Sequence, residues 1–453
     1  LLTALTNSSN NRRWKEKPME TETLNGKKIL VIGGSAHEVI DGVRHYANHG
    51  RPETHGMQAA KQLAELGADV TLVTTQPHGE TPQGITIITK DGSNNPLVSA
   101  QSLLDAAAQQ AQAKTYDAVL QLANIPAIKA AQQSEHKLKV KKEAGALVPM
   151  EVAGNVDVAA SLQAPFSNSI IAGYDNQQQW FASGDAALAA SLADVASQTV
   201  SAPLPAAQGN VSALPRTGGK LSGRKIIITS GPTAEPISSS GDVITNFSTG
   251  KQGYAVAESL AAMGAQVVLV SGPTHIPDPS HPNITTIHTE SARDMHDAVV
   301  AQLPADAFIA VAAVADFGMA QPGKLALKPG ERVTLELSQN PDILQSVGTH
   351  ESKRPPVVIG FAAETHDLLT YARGKLEKKG ADAICANQVG SAIVARGIDN
   401  NQITWVSAEG NEPWEVMGKS DVGNRIGDKI ALLLQRKKSA TVGSGSSGLL
   451  SML

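Results

Sequence analysis

The chain has 453 residues, 38 Lys and Arg against 42 Asp and Glu, and a formal charge of −4. That length predicts two or three domains, and the slightly acidic balance argues against a general nucleic-acid binder. The single cysteine, Cys385, excludes an intrachain disulfide framework and a multi-cysteine zinc site. The longest strictly apolar run, Ala307 to Ala315, has nine residues, well short of the roughly 20 that a membrane-spanning helix needs. The N-terminal stretch is Asn-rich, carries Arg12 and Arg13 and lacks an extended apolar region, so it does not read as a secretory signal. The expectation is a soluble cytoplasmic protein with no nucleic-acid or membrane partner.

Residues 1–26 are polar and read as a flexible tail. Residues 27–34, KKILVIGG, then give a β-branched run ending in glycine, and 59–73, AAKQLAELGADVTLV, give an amphipathic helix and a second buried strand. The same order returns 197 positions later as RKIIITSG (224–231) and VAESLAAMGAQVVLV (256–270), with Gly67 matching Gly264 and Ala68 matching Ala265. Two weaker matches follow, 136–158 with 323–343 and 169–175 (SIIAGYD) with 357–363 (VVIGFAA). Four matches in one order predict an internal duplication. Continuous apolar strands alternating with helices predict parallel sheets covered on both faces, with ligands beyond the carboxyl ends of the strands. A glycine turn alone is equally well a tight connection. Residues 201–222 are rich in Pro, Gly, Ser and Ala and read as a linker, and 437–453 as a second flexible tail. The predicted fold is therefore α/β, with two Rossmann-like parallel-sheet domains at 27–200 and 223–436 packed as a pseudo-dimer. The first is shorter, because the long segment that follows Phe361 has no counterpart after Tyr174.

The second domain carries the chemistry-bearing motifs. GPTAEPISSSGDVITNFSTGKQG (231–253) brings Asn246, Ser248, Thr249 and Gly250 to the start of a helix. Hydroxyls and free amides there form an anion site, or an ordinary Ser/Thr cap. AFIAVAAVADF (307–317) ends a strand at Asp316, where the crevice should lie, or where a turn simply needs an Asp. GFAAETHDLLTYARGKLEKKGADAICANQV (360–389) reads as strand, loop, helix and strand, ending near Asn387. Phe361 either stacks on a base or fills the core, and Glu364 either accepts ligand hydrogen bonds or caps the helix. Lys375, Lys378 and Lys379 read as a solvated helix face and Cys385 as packing. His45, His49 and His55 flank the first domain's loop without ligand spacing, so no metal site is expected.

Together, GPTxEPI, NxSTGKxG, AAVADF, VTLEL before NPDIL, GFAAET and ANQV, in that order across 223–436, resemble the phosphopantothenate–cysteine ligase family, also called phosphopantothenoylcysteine synthetase. In bacteria that domain is usually the C-terminal half of a bifunctional coenzyme A biosynthesis protein. Here a second ligase-like copy stands in place of the flavin-dependent decarboxylase half. The resemblance implies that the carboxylate of 4′-phosphopantothenate attacks the α-phosphate of a nucleoside triphosphate (CTP favoured over ATP) with Mg²⁺, and that the cysteine amine then displaces the nucleotide. It further implies Asn246 and a lysine segment, Lys324 and Lys328 or Lys139 and Lys141, as catalytic. Ser248, Thr249, Gly250, Ala313 and Arg44 would bind substrate, and Gly231, Asp316, Phe361 and Asn387 the nucleotide.

Neither copy keeps the whole family loop, GxTREPIDPVRxISNxSSGKxG. The second has Ala234 near the first Arg and Ser238-Ser239-Ser240-Gly241-Asp242, one residue longer, in place of DPVR. The first keeps IDxVR (Ile40 to Arg44) and Asn48 but has HGRPETHG where SSGK should be. The family's KxKK is intact as Lys139-Val140-Lys141-Lys142 and reduced to Lys324-Leu325-Ala326-Leu327-Lys328; Asp316 faces Ala127, and GFAAET faces GYDNQQ. The family's ligases are two-fold dimers in which an Arg reaches the neighbour's site. The expectation is one working site in an intrachain pseudo-dimer, Arg44 reaching across, with further homo-oligomerisation open. Arg44 in a surface salt bridge, and the lysines as guards of a strand edge, are the plainer alternatives. A catalytically silent homologue acting as a binding or regulatory subunit is the rival function. A nicotinamide-dependent reductase is disfavoured, since GxGxxG is missing and Thr74 and Ser271 end the second strands.

Overall fold

A computed structural model describes residues 24–75, 82–134, 147–200, 218–364, 366–388 and 399–446. It is a mixed α/β structure built around two largely parallel sheets. The first half forms six strands in the order Trp180–Ser183, Ile170–Tyr174, Ala118–Gln121, Lys28–Gly33, Asp69–Thr74, Ile85–Ile88, antiparallel only at Trp180–Ser183. The second forms eight: Ile284–His288, Gln266–Ser271, Lys225–Ser230, Ala307–Ala310, Val357–Glu364, Ala383–Gln388, then antiparallel Thr404–Ser407 and Gly410–Pro413.

Both central strands are buried along almost their whole length, as continuous apolar runs demand when helices cover both faces. In the first half His55–Glu65 and Ala186–Val200 lie on one face and Ala100–Ala113 with Val158–Gln163 on the other. In the second the pairs are Lys251–Ala262 with Lys419–Ser446, and Ala292–Ala301 with Ile343–Gly348. The registers also agree: Lys28 pairs Asp69 as Lys225 pairs Gln266. So do buried details. Glu38 accepts from Ala100 N at 2.9 Å and Asn155 Nδ2 at 3.1 Å, and Glu235 accepts from Ala292 N at 2.8 Å and is bonded to Asn340.

Two four-stranded sheets join the halves. Arg44–Asn48 runs antiparallel to Asp242–Asn246, pairing Arg44 with Asn246, Tyr46 with Ile244 and Asn48 with Asp242. With Asn48 and Asn246 taken as equivalent, this ladder is two-fold symmetric about Tyr46 and Ile244. Val148–Gly154 runs antiparallel to Arg332–Gln339 in the other shared sheet. Ile40, Tyr46 and Val152 pack between the two with Ile244, Phe317 and Leu337, so the junction is an apolar core of its own. Gly154 is required there, because a Cβ would stand 2.0 Å from Lys328 O.

The boundaries shift from those expected. Leu24 and Leu221 are buried, Gly26 N donates to Gly67 O and Leu221 N to Met263 O. Residues 24–26 and 218–222 therefore belong to the folded halves, not to the tail and linker. The helix Lys419–Ser446 runs past 436 into the expected C-terminal tail, held on its flank by Lys437 with Asp382 and Arg436 with Glu409. The remainder of both tails and of the linker lies outside the described residues.

Candidate functional site

The site begins where the strand Lys225–Ser230 ends. Gly231 (φ +75°) and Gly250 (φ +77°) take left-handed backbone that other residues rarely adopt. At Gly253 a Cβ would stand 2.3 Å from Ser230 Oγ, so glycine lets the helix Lys251–Ala262 start against the strand. Ser230 Oγ donates to Gly250 O at 2.9 Å, Asn246 Nδ2 donates to Ala313 O at 2.9 Å, and Ala313 N donates to Gly231 O at 2.9 Å. These bonds knit Gly231, Asn246, Gly250 and Ala313 into one rim. Ser248 Oγ accepts from Gly250 N at 3.3 Å, and Thr249 Oγ1 accepts from Lys251 N at 3.5 Å. The first amides of a helix have no intrahelical acceptor, and the dipole adds positive potential, so the rim is suited to an anion.

The rim opens into a cleft of about 2540 Å³. Asn246, Ser248, Thr249, Gly250, Gly231, Ala313, Asp316, Phe361 and Asn387 all line it, so nine sequence-predicted residues converge. The opposite wall comes from the first half: Val43, His45 and the loop 49–54. Phe361 packs against the core and also lines the cleft. Cys385 is buried, its thiol pushed up by burial, as a packing residue.

Other expectations need correction. Arg44 lies opposite Asn246 at the junction, but its guanidinium is held by Asp41, Nε to Oδ2 at 2.9 Å and Nη2 to Oδ2 at 2.5 Å, with side chains 3% and 0% exposed. It is no surface salt bridge, nor does it line the cleft as Gly42, Val43 and His45 do. Lys324 borders a separate hollow with Gly50, Gln178 and Ser240. Lys328 sits in the turn where its own N donates to Glu331 Oε2 at 3.0 Å. Neither borders the cleft, because the segment starting at Gly323 is bonded to Ser238 and Ser239 on the junction side. Lys139 and Lys141 lie outside the described residues. Glu364 does not cap the following helix, whose N-cap is Asp367; it is buried and accepts from Lys375 Nζ at 3.1 Å. Lys375 and Lys379 are not a solvated face but line the cleft, Lys379 bonded to Asp342.

The sequence reading missed three cleft residues. Lys251 and Lys419 both line it, with Asp399 bonded to Lys251 at 2.8 Å. Burial and the charge of Lys251 push the Lys419 ammonium down. His275 also lines the cleft and bonds Glu53 of the first half at 2.8 Å, which raises its pKa. Thr274, beside it, donates to Thr249 O at 2.9 Å. Lys251 was visible inside NFSTGKQG; Lys419 and His275 carry no local signal. Among the described residues no cluster of three metal-ligating side chains occurs, and no helix is long and apolar enough to cross a membrane.

The family model of the DNA/pantothenate metabolism flavoprotein C-terminal domain matches this chain over residues 24–190 and 221–433. The Coenzyme A biosynthesis bifunctional protein CoaBC of Vibrio parahaemolyticus is 40% identical over 218 residues, 47% of this chain and 54% of that protein. The protein of the same name from Bacillus subtilis is 40% identical over 220 residues, 48% of this chain and 53% of that protein. The chain thus spans about half the length of these relatives. A crystal structure of the C-terminal domain of Coenzyme A biosynthesis bifunctional protein CoaBC aligns with 36% identity and a TM-score of 0.41, covering 48% of this chain and 100% of that domain.

Proposed function

Because the chain belongs to the family of the DNA/pantothenate metabolism flavoprotein C-terminal domain, we propose that it is a phosphopantothenate–cysteine ligase of coenzyme A biosynthesis. We further propose that its halves arose by duplication and act as a pseudo-dimer with one working site. The observation that carries the reading is the convergence of Asn246, Ser248, Thr249, Gly250, Asp316, Phe361 and Asn387 on one cleft whose far wall belongs to the other half.

In this reading the nucleotide lies over the strand ends, its base against Phe361 and Asn387 and its phosphates toward Lys251 and Lys419. The substrate phosphate meets the helix amides at Ser248 to Gly250. The phosphopantothenate carboxylate attacks the α-phosphorus, releasing pyrophosphate, and the cysteine amine then attacks the acyl carbon and releases the nucleoside monophosphate. The protein's task is to align two anions and to place donors where charge grows. Asn246 supplies a side-chain amide at the rim. Mg²⁺ fits as a partner of the triphosphate more than of the protein: Asp316 offers one carboxylate on the cleft wall, as expected of an ion that keeps most of its shell from phosphate and water. Bound there, it would shield phosphate charge. CTP is favoured over ATP by the likeness of AAVADF to the bacterial motif.

The test is pyrophosphate release. Sustained release over many turnovers should require both phosphopantothenate and cysteine, with at most about one pyrophosphate per site when cysteine is left out, and Phe361→Ala should raise the nucleotide KM by about 5- to 150-fold, the range of one base–aromatic stack. The absence of release with any nucleotide would favour the second reading, a silent homologue serving as a binding or regulatory subunit, which is motivated by the sequestered Arg44 and the displaced Lys324 and Lys328.

A further inference from the structure

The first half keeps the frame of a ligand crevice. Gly34 (φ +82°) matches Gly231 (φ +75°), and Asn124 N donates to Gly34 O at 2.8 Å as Ala313 N donates to Gly231 O at 2.9 Å. A Cβ at Gly56 would stand 2.5 Å from Gly33 Cα, so the helix His55–Glu65 presses on its strand as Lys251–Ala262 does. Carried along the strands, Ala123 corresponds to Ala312 and Tyr174 to Phe361.

The loop differs. Asn48 to Gly56 is one residue longer than Asn246 to Gly253 and carries Arg51 and Pro52 where the second half has Ser248, Thr249 and Gly250. Proline removes an amide donor. Arg51 is 8% exposed, with its guanidinium carbon 4.0 Å from the Tyr174 ring centroid. Its Nη2 donates to Ala123 O at 3.2 Å and its Nη1 to Gln178 Oε1. Gln178 sits in left-handed backbone (φ +63°) in the turn that leads from Ile170–Tyr174 to Trp180–Ser183. In the second half the strand Val357–Glu364 leads instead to a helix and to the strand bearing Asn387. A planar cation stacks on an aromatic face much as a base does, and burial pushes this one down to about 10.

We infer that Arg51 is an internal ligand of the first half's crevice: its guanidinium takes the slot between Ala123 and the Tyr174 ring, so the chain offers a single nucleotide site. Only the identity of the second half's ligand rests on the functional reading above.

The test uses the full chain. Arg51→Ala should lower Tm by about 4–8 °C, since it strips Gln178 Oε1 of this donor, leaves Ala123 O with Gln121 Nε2 alone and removes the cation from the Tyr174 face. Millimolar ethylguanidinium should restore at least half of that loss in the variant and leave the wild-type Tm unmoved. An unchanged Tm in the variant, or an equal response of both proteins to ethylguanidinium, overturns the inference. If Arg51→Ala does not accumulate, Arg51→Lys replaces it; this variant keeps stem and charge but not the planar fork, so wild-type stability would again overturn the inference. Titration of the wild type with CTP should saturate at one per chain, and saturation at two overturns it. No CTP binding together with intact guanidinium rescue refutes the functional reading and leaves Arg51 assigned.

Discussion

Arg44→Ala probes the junction and the proposed site together. The Arg44–Asp41 pair is almost wholly buried, at 3% and 0% exposure, so solvent screens it little. Removing one partner of a buried pair typically costs about 3–5 kcal/mol, because the other charge is stranded. Asp41 would keep two backbone donors, Val43 N and Arg44 N, each at 2.9 Å. These place the expected loss near the low end, about 3 kcal/mol, or roughly 6–12 °C in Tm for a domain of this size. If Arg44 also meets the substrate phosphate, a lost charge-assisted hydrogen bond of about 1.5–3 kcal/mol raises the phosphopantothenate KM by roughly 10- to 150-fold.

Asp41→Asn separates the two effects. It breaks the same ion pair but leaves the guanidinium in place, so stability should fall while the KM stays within a few-fold of wild type. Urea melts and steady-state kinetics on both variants decide the matter. An Arg44→Ala protein as stable as wild type would refute the burial argument. Equal KM values for the two variants would remove Arg44 from the substrate.

Four further outcomes are expected. Gly154→Ala, whose Cβ would stand 2.0 Å from Lys328 O, should cost roughly 1–3 kcal/mol through overpacking at the junction; an unchanged urea midpoint would show that the junction yields freely. His55 is buried, with Nε2 2.9 Å from Ala196 O, and burial lowers its pKa from 6.5 to about 4. The unfolded chain then binds the extra proton, so stability should fall by roughly 3 kcal/mol as pH drops from 6.5 to 4, and His55→Gln should flatten that part of the pH–stability curve. Glu53→Gln should lower the His275 pKa in an imidazole NMR titration, because the Glu53 carboxylate is what raises it; no movement would deny the contact across the cleft. A chain limited to residues 218–446 exposes the Asp242–Asn246 edge and its apolar face; it should self-associate with kcat/KM reduced by at least about 10-fold, and a monomer with full turnover would refute the division of labour.

The sheets were legible because their central strands, Lys28–Gly33 and Lys225–Ser230, are largely apolar runs that meet a glycine, a signal contained within a few residues. The spacing of Gly67 and Gly264 located the helices and second strands for the same reason. Leu24 and Leu221 escaped notice because one apolar residue in a polar stretch has no periodicity. The rim residues were legible because Asn246 to Gly250 form one segment. Lys324 and Lys328 were misplaced because their position depends on bonds of Gly323 to Ser238 and Ser239, far away in sequence. Lys375 and Lys379 repeat at helical spacing, which reads as a solvated face until Glu364 and Asp342 come under them. Asp41, three residues before Arg44, was in view, but burial of the pair depends on the other half.

The symmetric ladder makes the asymmetry of the halves interpretable. In a two-fold dimer one residue type would face both asparagines; here Arg44 is opposite Asn246 and Asp242 is opposite Asn48. Asp242 accepts from Asn48 Nδ2 at 2.9 Å, Ala127 N at 3.1 Å and Ser238 Oγ at 2.7 Å. A guanidinium has only donors and could accept none of these bonds. A carboxylate at 127, matching Asp316, would then face Asp242 as a buried like charge, and alanine removes that conflict. The proposed place of Arg51 on the Tyr174 ring would fit the same pattern around the first crevice. On the other side of the ladder Asn246 and Asp316 line the open cleft, where the proposed reading puts substrate and nucleotide, while Arg44 is held by Asp41. Under the proposed duplication, one crevice would have become structure while the second stays open, and the second's far wall, with Val43, His45 and Glu53, still comes from the first half.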